Sequence, residues 1–144
     1  ETLSEVTVLA VGGSPGGLDG EDGQLYVTEG NTNILGVYSQ SDWRETRRVR
    51  VGIGPRRVLA AGEKVYVSNF KGRSLSLLLA RQQRMAREIP LEGKPLELAA
   101  SSNQQWLYAV QTDPDRVAVV DQTANRAAGF LEFGAPVEDI VVVP

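Results

Sequence analysis

A proline returns along this chain at an almost constant step: Pro15, Pro55, Pro95 and Pro136, at intervals of 40, 40 and 41 residues. Each comes just after a glycine, in Val11-Gly-Gly-Ser-Pro, Val51-Gly-Ile-Gly-Pro, Leu91-Glu-Gly-Lys-Pro and Glu132-Phe-Gly-Ala-Pro. A period of this size marks a repeat architecture, in which one small unit stacks against copies of itself because it cannot bury its apolar face alone. Any fold assigned to the chain has to keep that beat.

Other landmarks fall into step. An apolar segment with an aromatic recurs as Leu25-Tyr-Val-Thr-Glu, Val65-Tyr-Val-Ser-Asn and Leu107-Tyr-Ala-Val-Gln. A second run follows in each period: Ile34-Leu-Gly-Val-Tyr, Ser74-Leu-Ser-Leu-Leu and Arg116-Val-Ala-Val-Val. A fourth closes it, as Arg48-Val-Arg-Val, Glu88-Ile-Pro-Leu and Gly129-Phe-Leu-Glu-Phe. Directly after the prolines come Arg57-Val-Leu-Ala, Leu96-Glu-Leu-Ala and Asp139-Ile-Val-Val-Val. Short runs rich in β-branched and aromatic residues, punctuated by Gly, Asn, Asp and Ser, predict strands joined by tight turns. Leu75, Leu77 and Leu79 alternate with their neighbours, so the strand has a buried face. Ala80–Glu88 has helical propensity, but its counterparts in the other periods do not, and the repeat takes precedence.

Four antiparallel strands per period of roughly 40 residues describe one blade of a β-propeller, so the expected class is all-β. Tyr26-Val-Thr-Glu and Tyr66-Val-Ser-Asn resemble the signature of the YVTN-type propeller repeat family, from which Tyr108-Ala-Val-Gln departs. The Val119-Val-Asp121-x-Thr123 segment with Gly134-x-Pro136 is similar to the same repeat. The resemblance implies a propeller over nearly the whole chain and an extracytoplasmic setting, in the periplasm or cell envelope. It implies no particular activity, because propellers serve many tasks.

The chain of 144 residues reads as a single repeat domain over 1–144, with blades at about 11–51, 52–92 and 93–134. Residues 5–10 fit the last strand of a preceding blade, and residues 136–143 the first strand of a following one. That makes about three and a half blades of a partial ring, whereas closed propellers typically have about four to eight. An open arc leaves apolar blade faces bare. Closure by the rest of a longer chain, or by another copy, would cover them; the orphan strands favour an excerpt of a longer chain. The absence of Met at Glu1 points the same way and leaves any removed signal peptide out of view.

Composition narrows the chemistry. There is no cysteine and no histidine, so thiolate sites are excluded and the commonest general base is missing. A net charge of −3 argues against nucleic acid as a partner, and no apolar run approaches the roughly 20 residues of a membrane span. Gly12-Gly-Ser14-Pro-Gly16 matches a G-x-S-x-G elbow, but that motif needs a strand-to-helix turn and a histidine, so Ser14 reads as a turn residue. Asp19-Gly-Glu-Asp22-Gly lacks calcium-loop spacing and reads as a hairpin turn. Arg48 and Arg50, alternating with valines on an outer strand, read as solvated edge charges. Trp43 and Trp106 read as packing residues near blade turns.

In a propeller, the loops entering each blade and those between second and third strands share one face. Here that face is expected to carry Ser14, Arg56 and Lys94, together with Asn31, Asn69, Lys71, Arg73, Asp113 and Asp115. The candidate binding residues are Asn69, Lys71, Arg73, Arg56, Asn31, Asp113 and Asp115, with Asn69–Arg73 the most loaded loop. No catalytic residue, metal ligand or cofactor is expected. The reading is a non-catalytic scaffold for a protein or an extracellular polymer. Its alternative is a fragment of a lactonase-like or cofactor-dependent propeller enzyme with its catalytic residues elsewhere, since Asp19, Glu97, Glu138 and Asp139 offer only a loose carboxylate set.

Overall fold

The computed structural model describes residues 4–143, and among these there are strands and turns but no helix. Twelve strands form three antiparallel sheets of four among the described residues. The first blade holds β1 (Pro15–Glu21), β2 (Gln24–Glu29), β3 (Ile34–Ser39) and β4 (Glu45–Arg50). The second holds β5 (Pro55–Ala61), β6 (Lys64–Asn69), β7 (Ser74–Leu79) and β8 (Arg84–Pro90). The third holds β9 (Lys94–Ala100), β10 (Trp106–Thr112), β11 (Arg116–Asp121) and β12 (Arg126–Leu131). In each sheet the strands lie in sequence order, the meander of a propeller blade, and the three blades make an open arc. The segment with helical propensity is extended in β8, where pairing with β7 outweighs a weak local preference.

No strand forms at 5–10 or 136–143, where flanking-blade strands were expected. An extended segment becomes a strand only by pairing its backbone, and neither segment pairs with another among the described residues.

The repeating proline now has a structural meaning. Pro15 pairs with Glu29, Pro55 with Asn69 and Pro95 with Gln111, each beside a register shift between first and second strands. Proline lacks an N–H, so it is accommodated at such a strand entrance, where the ladder is already interrupted. Each proline therefore marks the point where a blade begins opposite the end of its second strand.

Alternation along the second strands builds the seams between blades. Tyr26 lies in the core between the first two blades with Leu35, Val37, Val58, Val65 and Val67. Tyr66 lies in the core between the second and third with Leu75, Leu77, Leu107 and Ala109. Each fully buried Leu, Val or Ile side chain contributes about 1.5–3 kcal/mol, and these seams hold most of them. Burial also raises the phenol of Tyr66 to about 12.

A hydroxyl joins each seam at a fixed offset. Thr28 Oγ1 accepts from Gly17 N–H at 2.8 Å and donates to the carbonyl of Arg56 at 3.1 Å. Forty residues on, Ser68 Oγ accepts from Arg57 N–H at 2.9 Å and donates to the carbonyl of Leu96 at 3.0 Å. The third repeat has Val110 at this place, the position where it departs from the Val-Thr and Val-Ser pattern. Gly17 lets the first two blades approach: a Cβ there would lie 2.4 Å from the Arg56 carbonyl oxygen.

Candidate functional site

Backbone hydrogen bonds bring the blade-entry loops and the loops between second and third strands to one face. Gly30 N–H donates to Ser14 O and Asn31 N–H to Gly13 O; Phe70 N–H donates to Gly54 O and Gly72 N–H to Ile53 O. Between the first two blades this face opens a cleft of about 270 Å³, lined by Ser14, Asn31, Pro55, Arg56, Phe70 and Lys71. Three of the seven candidates, Asn31, Arg56 and Lys71, meet there, and all three are exposed.

The guanidinium of Arg56 lies 3.7 Å from the centroid of the Phe70 ring, and Lys94 Nζ stands 5.6 Å from it. Stacking occupies the flat face of the guanidinium and leaves its N–H edge open for an acceptor. Among the described residues, no carboxylate lies within ion-pairing distance of Arg56 or Lys71. Arg56 is held in place by an aromatic ring and keeps its charge available.

The other candidates go elsewhere. Asn69, expected in the loop, is the last residue of β6 and is fully buried. Its Nδ2 donates to Ser74 Oγ at 3.1 Å and Ser76 Oγ at 2.9 Å, because the strand runs one residue past the expected turn and points the amide into the seam. Arg73 donates to Asp113 Oδ2 at 2.5 Å and to the Glu92 and Asp113 carbonyls, tying the second blade to the third. Lys94 stands 3.9 Å from the same carboxylate. Asp115 turns back to accept from Thr112 Oγ1 at 2.8 Å. Asp113 and Asp115 therefore do not converge on one ligand. Ser14, at φ 64°, lies in a turn leading into a strand, so it has no elbow geometry. Asp22 and Gly23, at φ 50° and 77°, form the hairpin turn between β1 and β2.

The innermost strands carry a second row. Arg57 donates Nε–H to Glu97 at 2.5 Å and Nη1–H to the Gly16 carbonyl at 2.9 Å, spanning all three blades. Asp19 accepts from Ala60 N–H at 2.9 Å. These two carboxylates hold the scaffold, while Glu138 and Asp139 lie exposed in the segment after β12. No group of three His, Cys, Asp or Glu residues that could hold a metal gathers among the described residues.

One polar position escaped the sequence reading. Glu29 and Asn69 end their second strands, Gln111 stands at the equivalent place one residue before the end of β10, and all three are buried. Arg48, expected as a solvated edge charge, donates to Glu29 through Nη1 at 3.0 Å and Nη2 at 2.7 Å. Burial alone would raise the Glu29 carboxyl. Hydrogen bonds from Arg48 and Thr32, the Arg48 charge and the Gly12 N–H together hold it below the ordinary carboxylate value. The signal was present as a polar letter closing each tyrosine segment.

Fold and face define a propeller-type protein. Solved structures agree on the fold. The chain matches hydrazine synthase of Kuenenia stuttgartiensis over 94% of its length and 40% of that chain, with a TM-score of 0.81 and 15% identity. It matches streptogramin B lyase over 89% of its length and 44% of that chain, with a TM-score of 0.75 and 16% identity. A functionally unknown protein from Desulfotomaculum acetoxidans matches over 92% and 47%, with a TM-score of 0.78 and 13% identity. The chain thus spans less than half of the solved chains it matches. No protein-family model matches it, and no curated protein does.

Proposed function

We propose that the chain is a non-catalytic binding module of the YVTN-like propeller kind, which holds an acidic protein segment or an anionic extracellular polymer against its loop face. The observation that carries this reading is Arg56, stacked on Phe70 beside Lys71, with no carboxylate among the described residues to neutralise either cation. On a chain with net charge −3, a local cationic cleft selects a ligand by placement and not by bulk attraction. An extracytoplasmic setting accords with the family resemblance.

Binding of this chain to immobilised polyglutamate and to a sulfated polysaccharide tests the reading, with a single-stranded oligonucleotide as the comparison. One of the first two binds and weakens with added salt, as expected where exposed charges dominate. The double variant Arg56→Ala, Lys71→Ala weakens that binding at least about tenfold. Equal binding by the variant, or preference for the oligonucleotide, overturns it.

The competing reading, a piece of a propeller enzyme, draws its support from enzymes among the structures of similar fold. Stoichiometric calcium or zinc uptake in calorimetry would favour it over the scaffold.

A further inference from the structure

The two seams differ at the end of the strands away from the loop face, where the hairpin turns lie. In the second seam Lys64, the first residue of β6, crosses to the third blade, and its Nζ donates to the Gln122 carbonyl and to Asn125 Oδ1. The chain seats one of its own ammonium groups on the turn between β11 and β12. One period earlier, Gln24 holds the place of Lys64: it pairs with Glu21 and Ser39 as Lys64 pairs with Ala61 and Leu79. Ala80 and Gln83 likewise hold the places of Gln122 and Asn125, in a turn closed by Leu79 and Arg84 as the other is by Asp121 and Arg126. Gln24 is shorter and carries no charge. In place of a lysine, the first seam has a cleft of about 400 Å³, lined by Glu21, Asp22, Gln24, Tyr26, Glu63 and Arg81, with Ala80 and Gln83 at its side.

The open seam has also gained charge. Glu21 and Asp22 stand where the second blade has Ala61 and Gly62. Three carboxylates face one guanidinium, and none of the four is in an ion pair among the described residues, so the cleft has an excess of negative charge. Glu21 is fixed across the seam, accepting from Gly62 N–H at 3.2 Å. Tyr26 is 4% exposed, and its hydroxyl makes no hydrogen bond among the described residues. The hydroxyls of Tyr38 and Tyr66 are enclosed, whereas Tyr26 lies on the wall of this cleft. Burial, and then the charges of Glu21 and Asp22, raise its phenol above the ordinary value, so it stays a neutral acceptor and donor. The carboxylates do not gather as a metal-ligand group among the described residues, and their spread suits an organic cation.

We infer that this cleft binds a primary alkylammonium group, as a free amine or at the tip of a lysine side chain, in the way the second seam holds Lys64. An ammonium has three donors and no acceptor. The carbonyls of Ala80 and Gln83 take the parts of Gln122 and Asn125, and Glu21 and Tyr26 add acceptors that the second seam lacks at these places. The methylenes lie along Tyr26 and Ala80, as a lysine stem covers apolar surface. A volume near 400 Å³ lies within the range of small-ligand sites. The inference is independent of the loop-face reading, because it concerns the other end of the blades and a ligand of opposite charge.

The test is a titration of this chain with n-butylammonium, which reproduces a lysine side chain, following the Gly62 backbone amide by NMR. n-Butanol serves as the neutral isostere. A saturable shift is expected with an affinity on the order of 1–10 mM, as for a ligand making few contacts, and butanol binds at least about tenfold more weakly. Gln24→Lys, which gives the first seam the lysine of the second, fills the cleft from within and weakens butylammonium at least about tenfold. The exposed pair Asp22→Asn, Glu63→Gln weakens it about fivefold, and Arg56→Ala leaves it unchanged. A second arm uses a capped Gly-Lys-Gly peptide: tighter binding than butylammonium supports the inference and assigns the site to a protein's lysine, weaker binding supports it and assigns the site to free amines. An unmoved Gly62 resonance, butanol binding as tightly as butylammonium, or undiminished binding in Gln24→Lys overturns the inference.

Discussion

In the first blade the buried side chain at the end of the second strand is Glu29, gripped by both Nη groups of Arg48 and by the Thr32 hydroxyl. In the third blade the same place holds Gln111, whose carbonyl oxygen has no partner among the described residues, and the residue that corresponds to Arg48 is Phe130. The fold is shared and the register is shared, yet one slot is satisfied electrostatically and the other holds an unsatisfied buried oxygen. Burial and polar satisfaction are thus set separately at one repeat position. A repeat fixes where a side chain is buried but does not determine whether it is satisfied.

The largest effect expected from breaking this contrast is on the satisfied slot. Arg48→Met strands the Glu29 carboxylate in the seam and lowers unfolding free energy by about 2–3 kcal/mol in urea melts. That is below the full value for a buried pair because Arg48 itself is 44% exposed. The same interaction gives the chain an acid sensitivity. The folded-state value of Glu29 lies below its ordinary 4.5, so its contribution is complete above that pH and is lost as the pH falls through the folded value. Glu29→Gln flattens the stability profile below about pH 4.5, and an unchanged slope would assign acid unfolding to other carboxylates.

A smaller loss is expected at the first seam. Thr28→Val removes the bonds to Gly17 N–H and the Arg56 carbonyl and costs about 1–2 kcal/mol, read by the same melts. If this variant is as stable as the parent, the hydroxyl joint is incidental.

The smallest effect has the opposite sign. Gln111→Leu replaces an unsatisfied buried carbonyl with an apolar group of similar size and raises stability by about 1 kcal/mol. A loss of stability there would mean that this oxygen is already satisfied in solution.

The blade pattern was readable because prolines, tyrosines and strand runs repeat, and periodicity is a property of sequence alone. The cationic pair Arg56 and Lys71 was readable too, since loops of one face are ordered by topology. Asn69 was misplaced by one residue of strand length, which turned an expected loop ligand into a seam residue. The role of Arg48 was hidden because its partner lies 19 residues away on another strand, and only the register brings them together. A cleft of about 470 Å³ between the end of β8 and the third blade was invisible for a different reason. Ala118 and Ala127 are ordinary residues in a strand, and they make a cavity only once β8 is packed against them.

The hydroxyl joint gives the arc a direction. A blade offers its successor a Thr or Ser hydroxyl and offers its predecessor a main-chain carbonyl, so blades can be spliced in tandem wherever an outgoing hydroxyl meets an incoming strand. Exchanging the first two blades preserves both halves of the coupling. Grafting any blade behind the third does not, because Val110 has nothing to offer, and under a pulling force that junction would be the first to part.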